Sequence, residues 1–105
     1  MKSQILLAGV LAIFALPAHG QTRIGTIQGT IKDPNGALVP NATVTVSQPV
    51  TGYKQIATTD TQGTFRIVNV PFNTYTVRAE AAGFQSAEQH IDLESAVPFT
   101  VDFNM

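Results

Sequence analysis

Few residues in this chain can do chemistry, and their spacing decides which chemistry stays open. The sequence holds 2 His, 7 Asp or Glu, 6 Lys or Arg and no cysteine. The missing cysteine excludes disulfides, thiol catalysis, thiolate-bound zinc, iron–sulfur clusters and the cysteine-borne anchor of bacterial lipoproteins. A zinc hydrolase site needs several His and carboxylate ligands at fixed spacing, and past residue 20 only His90 is available. Ser86, His90 and Asp92 have the residue types of a nucleophilic triad. On one extended strand, however, alternate residues lie about 6.6 Å apart, too far for a hydrogen-bonded relay. His90 is read as a solvated strand residue in phase with Glu88 and Asp92. Asp33, Asn35 and Asp60 offer hard oxygens, but calcium takes about six to eight of them, and turn chemistry explains all three. No catalytic residue, metal site or cofactor is assigned.

Binding is harder to dismiss. Sugars stack on exposed aromatic faces, although the absence of tryptophan weakens that case. Three aromatics stand beside turns and outside the alternating pattern: Tyr53, Phe72 and Phe84. Phe84 is expected to pack over a strand edge after Gly83. Tyr53 and Phe72 are the two ligand-binding candidates. The polar surface, rich in Thr, Gln and Ser, suits a protein partner or edge-to-edge strand pairing. Asn41-Ala42-Thr43 matches a glycosylation sequon but is read as part of a Pro40-Asn41-Ala42 turn. A net charge of -1 and a pI of about 6.0 leave nothing basic enough to grip nucleic acid by its phosphates.

The elements that must position these residues change character once along the chain. Lys2 precedes a charge-free apolar run, Ile5–Leu16, followed by Pro17 and the small residues Ala18 and Gly20. That is the pattern of a secretory signal peptide, cut between Gly20 and Gln21. As a helix the run rises only about 18 Å against a bilayer core of about 30 Å, too short for an anchor. Residues 1–20 are therefore expected to be a signal peptide and 21–105 the mature domain, with no later segment apolar enough to span a membrane. The expected destination is the periplasm, the outer-membrane surface or the medium.

From Gln21 onward the hydrophobic period is two. Ile27 and Ile31 share a face with Gly25 and Gly29. Ala42, Val44 and Val46 alternate with Thr43, Thr45 and Ser47. Phe65 and Ile67 oppose Arg66; Tyr75, Val77 and Ala79 oppose Thr76, Arg78 and Glu80; Phe99, Val101, Phe103 and Met105 oppose Thr100, Asp102 and Asn104. Tyr53–Thr59 and Ser86–Leu93 are weaker strand candidates. Asp33-Pro-Asn-Gly36 and Asp60-Thr-Gln-Gly63 place Asp first and Gly last, the pattern of a type I turn. Seven short strands with frequent turns and no amphipathic helix predict an all-β antiparallel sandwich. At 105 residues the chain is the size of one domain.

The order of these pieces resembles the carboxypeptidase regulatory-like domain family. The likeness runs from Ile27-Gln-Gly-Thr-Ile31-Lys-Asp33 through Asn35-Gly36-Ala37, Val39-Pro40-Asn-Ala42-Thr-Val44-Thr-Val46, Thr51-Gly52, Thr59-Asp60, Gly63-Thr-Phe65-Arg-Ile67, Val70-Pro71 and Tyr75-Thr-Val77 to Gly83-Phe84. It spans about Ile24 to Met105. It implies a prealbumin- or transthyretin-like Greek-key sandwich of about seven strands, of the carbohydrate-binding-like kind. The resemblance also implies a non-catalytic role: such modules accompany metallocarboxypeptidases and stand after the signal peptide of TonB-dependent outer-membrane receptors. One departure is Phe72-Asn73, where many members carry Pro-Gly. Two chemistries of similar sandwiches are not expected. The urate-pathway hydrolase set of several histidines, an arginine and a C-terminal Tyr-Arg-Gly-Ser is missing. The adhesin-type Lys–Asn isopeptide would need its lysine where Ile31 stands, while Lys32 and Asn104 fall on the polar face. The function expected is an exported interaction or scaffolding module of the cell envelope with an envelope-protein partner. The alternative is a small carbohydrate-binding or adhesive module.

Overall fold

Alternation along each strand decides which side chains meet. The structure, a computed structural model, describes residues 23–105; the expected signal peptide lies outside the described residues. In β1 (Ile24–Lys32), Gly25, Ile27, Gly29 and Ile31 are buried. β2 (Thr43–Gln48) buries Val44 and Val46, whereas β3 (Tyr53–Thr58) buries no residue fully. β4 (Thr64–Pro71) buries Phe65, Ile67 and Val70, and β5 (Asn73–Glu80) buries Tyr75, Val77 and Ala79. β6 (Ala87–Leu93) buries Ile91 and Leu93. β7 (Phe99–Thr100) and β8 (Phe103–Asn104) are short. No helix occurs among the described residues.

Two sheets result. One has the order β4-β1-β7, with β8 also paired to β1; the other runs β3-β2-β5-β6. Their inner faces share one core, which includes Ile27, Ile31, Phe65 and Val70 from the first sheet and Val44, Val46, Val77 and Leu93 from the second. Fully burying one such aliphatic side chain contributes about 1.5–3 kcal/mol. The all-β sandwich expected from the alternation is the fold observed.

The last segment departs from expectation in two ways. The sequence reading has seven antiparallel strands, the last over Phe99–Met105. The structure has eight, because that segment pairs as two pieces, and both lie parallel to β1. Ile27 pairs with Phe99 and Ile31 with Phe103 in one register. Between them a rung of the ladder is replaced. Val101 N–H donates to the Gln28 carbonyl at 2.7 Å, but Thr30 N–H donates to Asp102 Oδ1 at 2.9 Å. The Asp102 carbonyl instead accepts from Gln89 Nε2 of β6 at 2.7 Å, tying the edges of the two sheets together. The close passage also explains Gly29: a Cβ there would overlap the Val101 carbonyl. Alternation carries no information about strand direction, so the parallel pairing left no mark in the hydrophobic pattern.

β4, an outer strand, carries a bulge where the pairing steps from Gly25–Val70 to Ile27–Ile67. Val68 and Asn69 both face solvent there, and Asn69 takes a left-handed φ of 57°. A bulge on an edge strand makes it a poor template for further strand addition.

The crossings between sheets converge on Thr59, the buried polar side chain of the domain at 3% exposure. Its Oγ1 donates to the Val39 carbonyl and accepts from Ala42 N–H, both at 2.8 Å. Its own N–H donates to the Ala42 carbonyl at 2.9 Å, and its carbonyl accepts from Asn41 N–H at 3.1 Å. Asn41, with φ 59°, is thus a turn residue, as its Pro-Asn-Ala context suggested. Gly63 lets the next turn close: its φ is 71°, and a Cβ would lie 2.9 Å from the Ile31 carbonyl.

Two substitutions test these constraints. Gly29→Ala should cost about 1–3 kcal/mol through overpacking. Thr59→Val should cost about 1–3 kcal/mol by leaving the Val39 carbonyl and Ala42 N–H unpaired. Both are read from urea unfolding midpoints, with Gly36→Ala as a control that meets nothing within 4 Å and bears only the strain of its turn conformation.

Candidate functional site

Strand register gathers several loops at one end of the sandwich. Ile24 pairs with Pro71, Gln48 with Tyr53 and Asn73 with Leu93. The start of β1, the β2–β3 turn, the β4–β5 crossing and the end of β6 therefore lie together. Arg23, Phe72, Asn73, Thr74, Asp92, Leu93 and Glu94 line an open groove there. A smaller one, lined by Thr51, Gly52, Tyr53, Pro71, Asn73 and Tyr75, shares Asn73 with it. The two sequence candidates, Tyr53 and Phe72, are thus brought to the same end, on either side of Asn73.

Phe72 is the single residue between β4 and β5. Its N–H donates to the Arg23 carbonyl at 3.0 Å, which fixes the chain as it passes from one sheet to the other. Neither Phe72 nor Asn73 has a positive φ, so the crossing needs no Pro-Gly turn; the left-handed residue falls earlier, at Asn69. Both Phe72 and Tyr53 are partly buried and pack against the core. Tyr53 lies against Tyr75, with ring centroids 5.3 Å apart and planes tilted by 60°, an arrangement favourable to both rings. Tyr75 in turn donates its hydroxyl to the Pro71 carbonyl at 2.6 Å. Burial holds both phenols above their ordinary pKa, and for Tyr75 the neighbouring Tyr53 adds to the effect.

Gln48 organises the polar side of this end. Its Nε2 donates to the Thr74 carbonyl at 3.0 Å, to Thr74 Oγ1 at 3.2 Å and to Asn73 Oδ1 at 3.5 Å, while its Oε1 accepts from Val50 N–H at 2.8 Å. Asn73 Oδ1 also accepts from Thr74 N–H at 2.8 Å. With its oxygen so engaged, the Asn73 side-chain NH2 is left as a donor without a partner among the described residues. Gln48, Arg23 and Glu94 escaped the sequence reading, which weighed Asp92 only beside Ser86 and His90 and Asn73 only as a turn residue. Their positions are scattered, and only cross-strand register makes them neighbours.

The remaining candidates disperse. His90 is exposed, directly across from Thr76, and its Nδ1 lies 3.1 Å from Thr76 Oγ1, so its partner is neither Ser86 nor Asp92. Phe84 is not among the hydrophobics packed on the core; it is 38% exposed, beside Asn41, Thr43, Glu80 and Ser86 at the opposite end. Gly83, at φ 84°, forms the turn before it, closed by Phe84 N–H on the Ala81 carbonyl at 3.1 Å. Lys32 and Asn104 are register partners in the β1–β8 pairing, and both are exposed. Their proximity lacks the buried setting an isopeptide needs.

Comparison with known proteins follows this geometry. The profile of the carboxypeptidase regulatory-like domain matches residues 26–105. No curated protein matches the chain. Among solved structures, the TIE protein of Bacillus anthracis superposes with a TM-score of 0.65 at 19% identity, over 79% of this chain and 17% of its own. A candidate carbohydrate-binding protein of Bacteroides uniformis gives 0.60 at 26% identity, over 76% and 40%. One from Pseudomonas aeruginosa gives 0.56 at 18% identity, over 84% and 92%. The chain thus spans less than half the length of the first two.

The acidic turns are used locally. Asp33 Oδ1 accepts from Asn35 and Ala37 N–H at 2.8 and 2.9 Å. Asp60 Oδ1 accepts from Gln62 and Thr64 N–H at 2.9 and 3.0 Å, and its Oδ2 accepts from the Thr64 hydroxyl at 2.7 Å. These bonds to the charged form, the Thr64 hydroxyl foremost, hold the Asp60 carboxyl below its ordinary pKa of 3.8. A carboxyl whose pKa is lowered by folding stabilises the fold above its unfolded pKa, and the contribution vanishes as pH falls through the folded value. Wild-type melting temperature should therefore fall below about pH 4 more steeply than that of Asp60→Asn. Parallel acid profiles for the two proteins, measured by thermal melts, would contradict this role.

Proposed function

The chain belongs to the carboxypeptidase regulatory-like domain family, and from that premise we propose that it is a non-catalytic interaction module of the cell envelope, exported by its first twenty residues. The observation that carries this reading is the extent of the family match: it occupies residues 26–105 and follows directly on the leader pattern of Lys2, Ile5–Leu16 and Pro17. By resemblance, the setting is that of the modules that follow the signal peptide of TonB-dependent outer-membrane receptors, with an envelope protein as partner. The polar chemistry supports binding over turnover. His90 stands on an open sheet face, and Asp33 and Asp60 are engaged in their own turns.

A second reading, a small carbohydrate-binding module, is favoured by the likeness at 26% identity to the Bacteroides uniformis protein and by the mixed aromatic and polar groove beneath Phe72.

Fractionation of source cells and immunoblotting against the folded domain tests the first reading. A processed band below the 11.2 kDa precursor in the periplasm, the medium or the outer-membrane fraction is expected for an exported module. A much larger outer-membrane band would mean that the module is part of a receptor. Retention of the unprocessed chain in the cytoplasm would overturn the export reading.

A further inference from the structure

We propose that the groove between the β4–β5 crossing and the end of β6 binds a neutral sugar ring, with Phe72 as its apolar platform and Asn73 and Asp92 as its hydroxyl readers. The inference rests on the carbohydrate reading above and names its site and the charge class of its ligand.

Three observations carry it. The groove combines one half-buried aromatic ring with side chains of opposite hydrogen-bonding character: Arg23 and the Asn73 NH2 donate, and Asp92 and Glu94 accept. Among the described residues, neither Arg23 nor either carboxylate forms an ion pair or side-chain hydrogen bond. Most other polar side chains near this end, Gln48 and Asn73 Oδ1 above all, are engaged. Among the described residues the polar rim is therefore unpartnered while the shell behind it is tied down, the division expected where a rigid support presents groups to a ligand.

Charge selects the ligand. Two carboxylates against one guanidinium oppose an anionic ligand such as a uronate polymer. The guanidinium at the same rim opposes a simple cation. A ligand that is both donor and acceptor at adjacent atoms satisfies the whole set, and vicinal hydroxyls on a pyranose are such a ligand. The C–H face of the ring covers Phe72 while carboxylate and amide bridge neighbouring hydroxyls.

Gln48 acts one step behind. By holding Asn73 Oδ1 and both oxygens of Thr74, it fixes which end of the Asn73 amide is left without a partner. It is a positioning residue.

The test is affinity electrophoresis of the chain expressed from its full sequence, through gels carrying soluble starch, hydroxyethyl cellulose or mannan as neutral polymers and polygalacturonate as an acidic one. Phe72→Leu keeps the apolar packing and removes the ring; Asn73→Asp keeps the acceptor toward Thr74 N–H and removes the NH2 donor. Thermal melts confirm that each variant folds. The expected result is retardation by at least one neutral polymer, none by polygalacturonate, and affinity about tenfold weaker in either variant, as for the loss of one good contact. Retardation unchanged in both variants but lost in Phe84→Leu would overturn the groove while leaving the carbohydrate reading standing. Preferential retardation by polygalacturonate would overturn the neutral-ligand assignment. No retardation by any polymer would remove both the groove and the carbohydrate reading, leaving the family placement untouched.

Discussion

The structure turns on β1, which is paired along both edges. On one side it meets β4, on the other the two pieces of the terminal segment. A strand so enclosed has no freedom to shift, because a slip of one residue would turn Ile27 and Ile31 to solvent. The same enclosure brings the Val101 carbonyl over Gly29. A side chain there would push the terminal segment off β1 and with it Val101 and Phe103, which are nearly fully buried. The missing side chain of one glycine thus decides whether the first sheet can keep its last strand and so close the core.

Closure of the core in turn decides the geometry of the groove. The second sheet is held to the first by crossings whose ends are fastened by hydrogen bonds. Thr59 fastens the β1–β2 and β3–β4 connections at one end of the sandwich. At the other, Phe72 N–H on the Arg23 carbonyl and Tyr75 on Pro71 fasten β4 to β5. Asn73 and Asp92 belong to neighbouring strands of the second sheet, whereas Arg23 enters from the first. Their convergence is a property of the assembled sandwich, not of any local segment. A site of this kind is rigid because its backbone belongs to strand ends, even though its side chains are exposed.

This explains what could be read in the sequence and what could not. Period-two alternation identified β1, β2, β4 and β5, because each buries one face and wets the other. The Asp-x-x-Gly turns at Asp33 and Asp60 were legible because the carboxylate bonds only to residues close along the chain. Tyr53 and Phe72 stood out as aromatics beside turns. Legibility ended where the determining contact is distant. The parallel direction of the terminal segment, and its division by the Asp102 carboxylate, depend on residues far away along the chain. The same holds for Asn73, Asp92 and Arg23, which have nothing in common until the strands are aligned.

Burial also bears on whether such a surface favours recognition or catalysis. Catalytic acids and bases owe their reactivity to desolvation or to a close charge that moves their pKa toward neutrality. Among the described residues the one buried polar side chain is Thr59, and both sides of its hydroxyl are bonded to backbone. Asp60 is displaced away from neutrality, toward lower pKa, by bonds within its own turn. The phenols of Tyr53 and Tyr75 are displaced upward, also away from neutrality. What remains at the surface is an array of solvated donors and acceptors on a stiff frame, with one aromatic half-buried among them at the β4–β5 crossing. Under the proposed reading, this array offers a ligand rich in hydroxyl groups a fixed pattern of hydrogen bonds that it can match without distorting the fold.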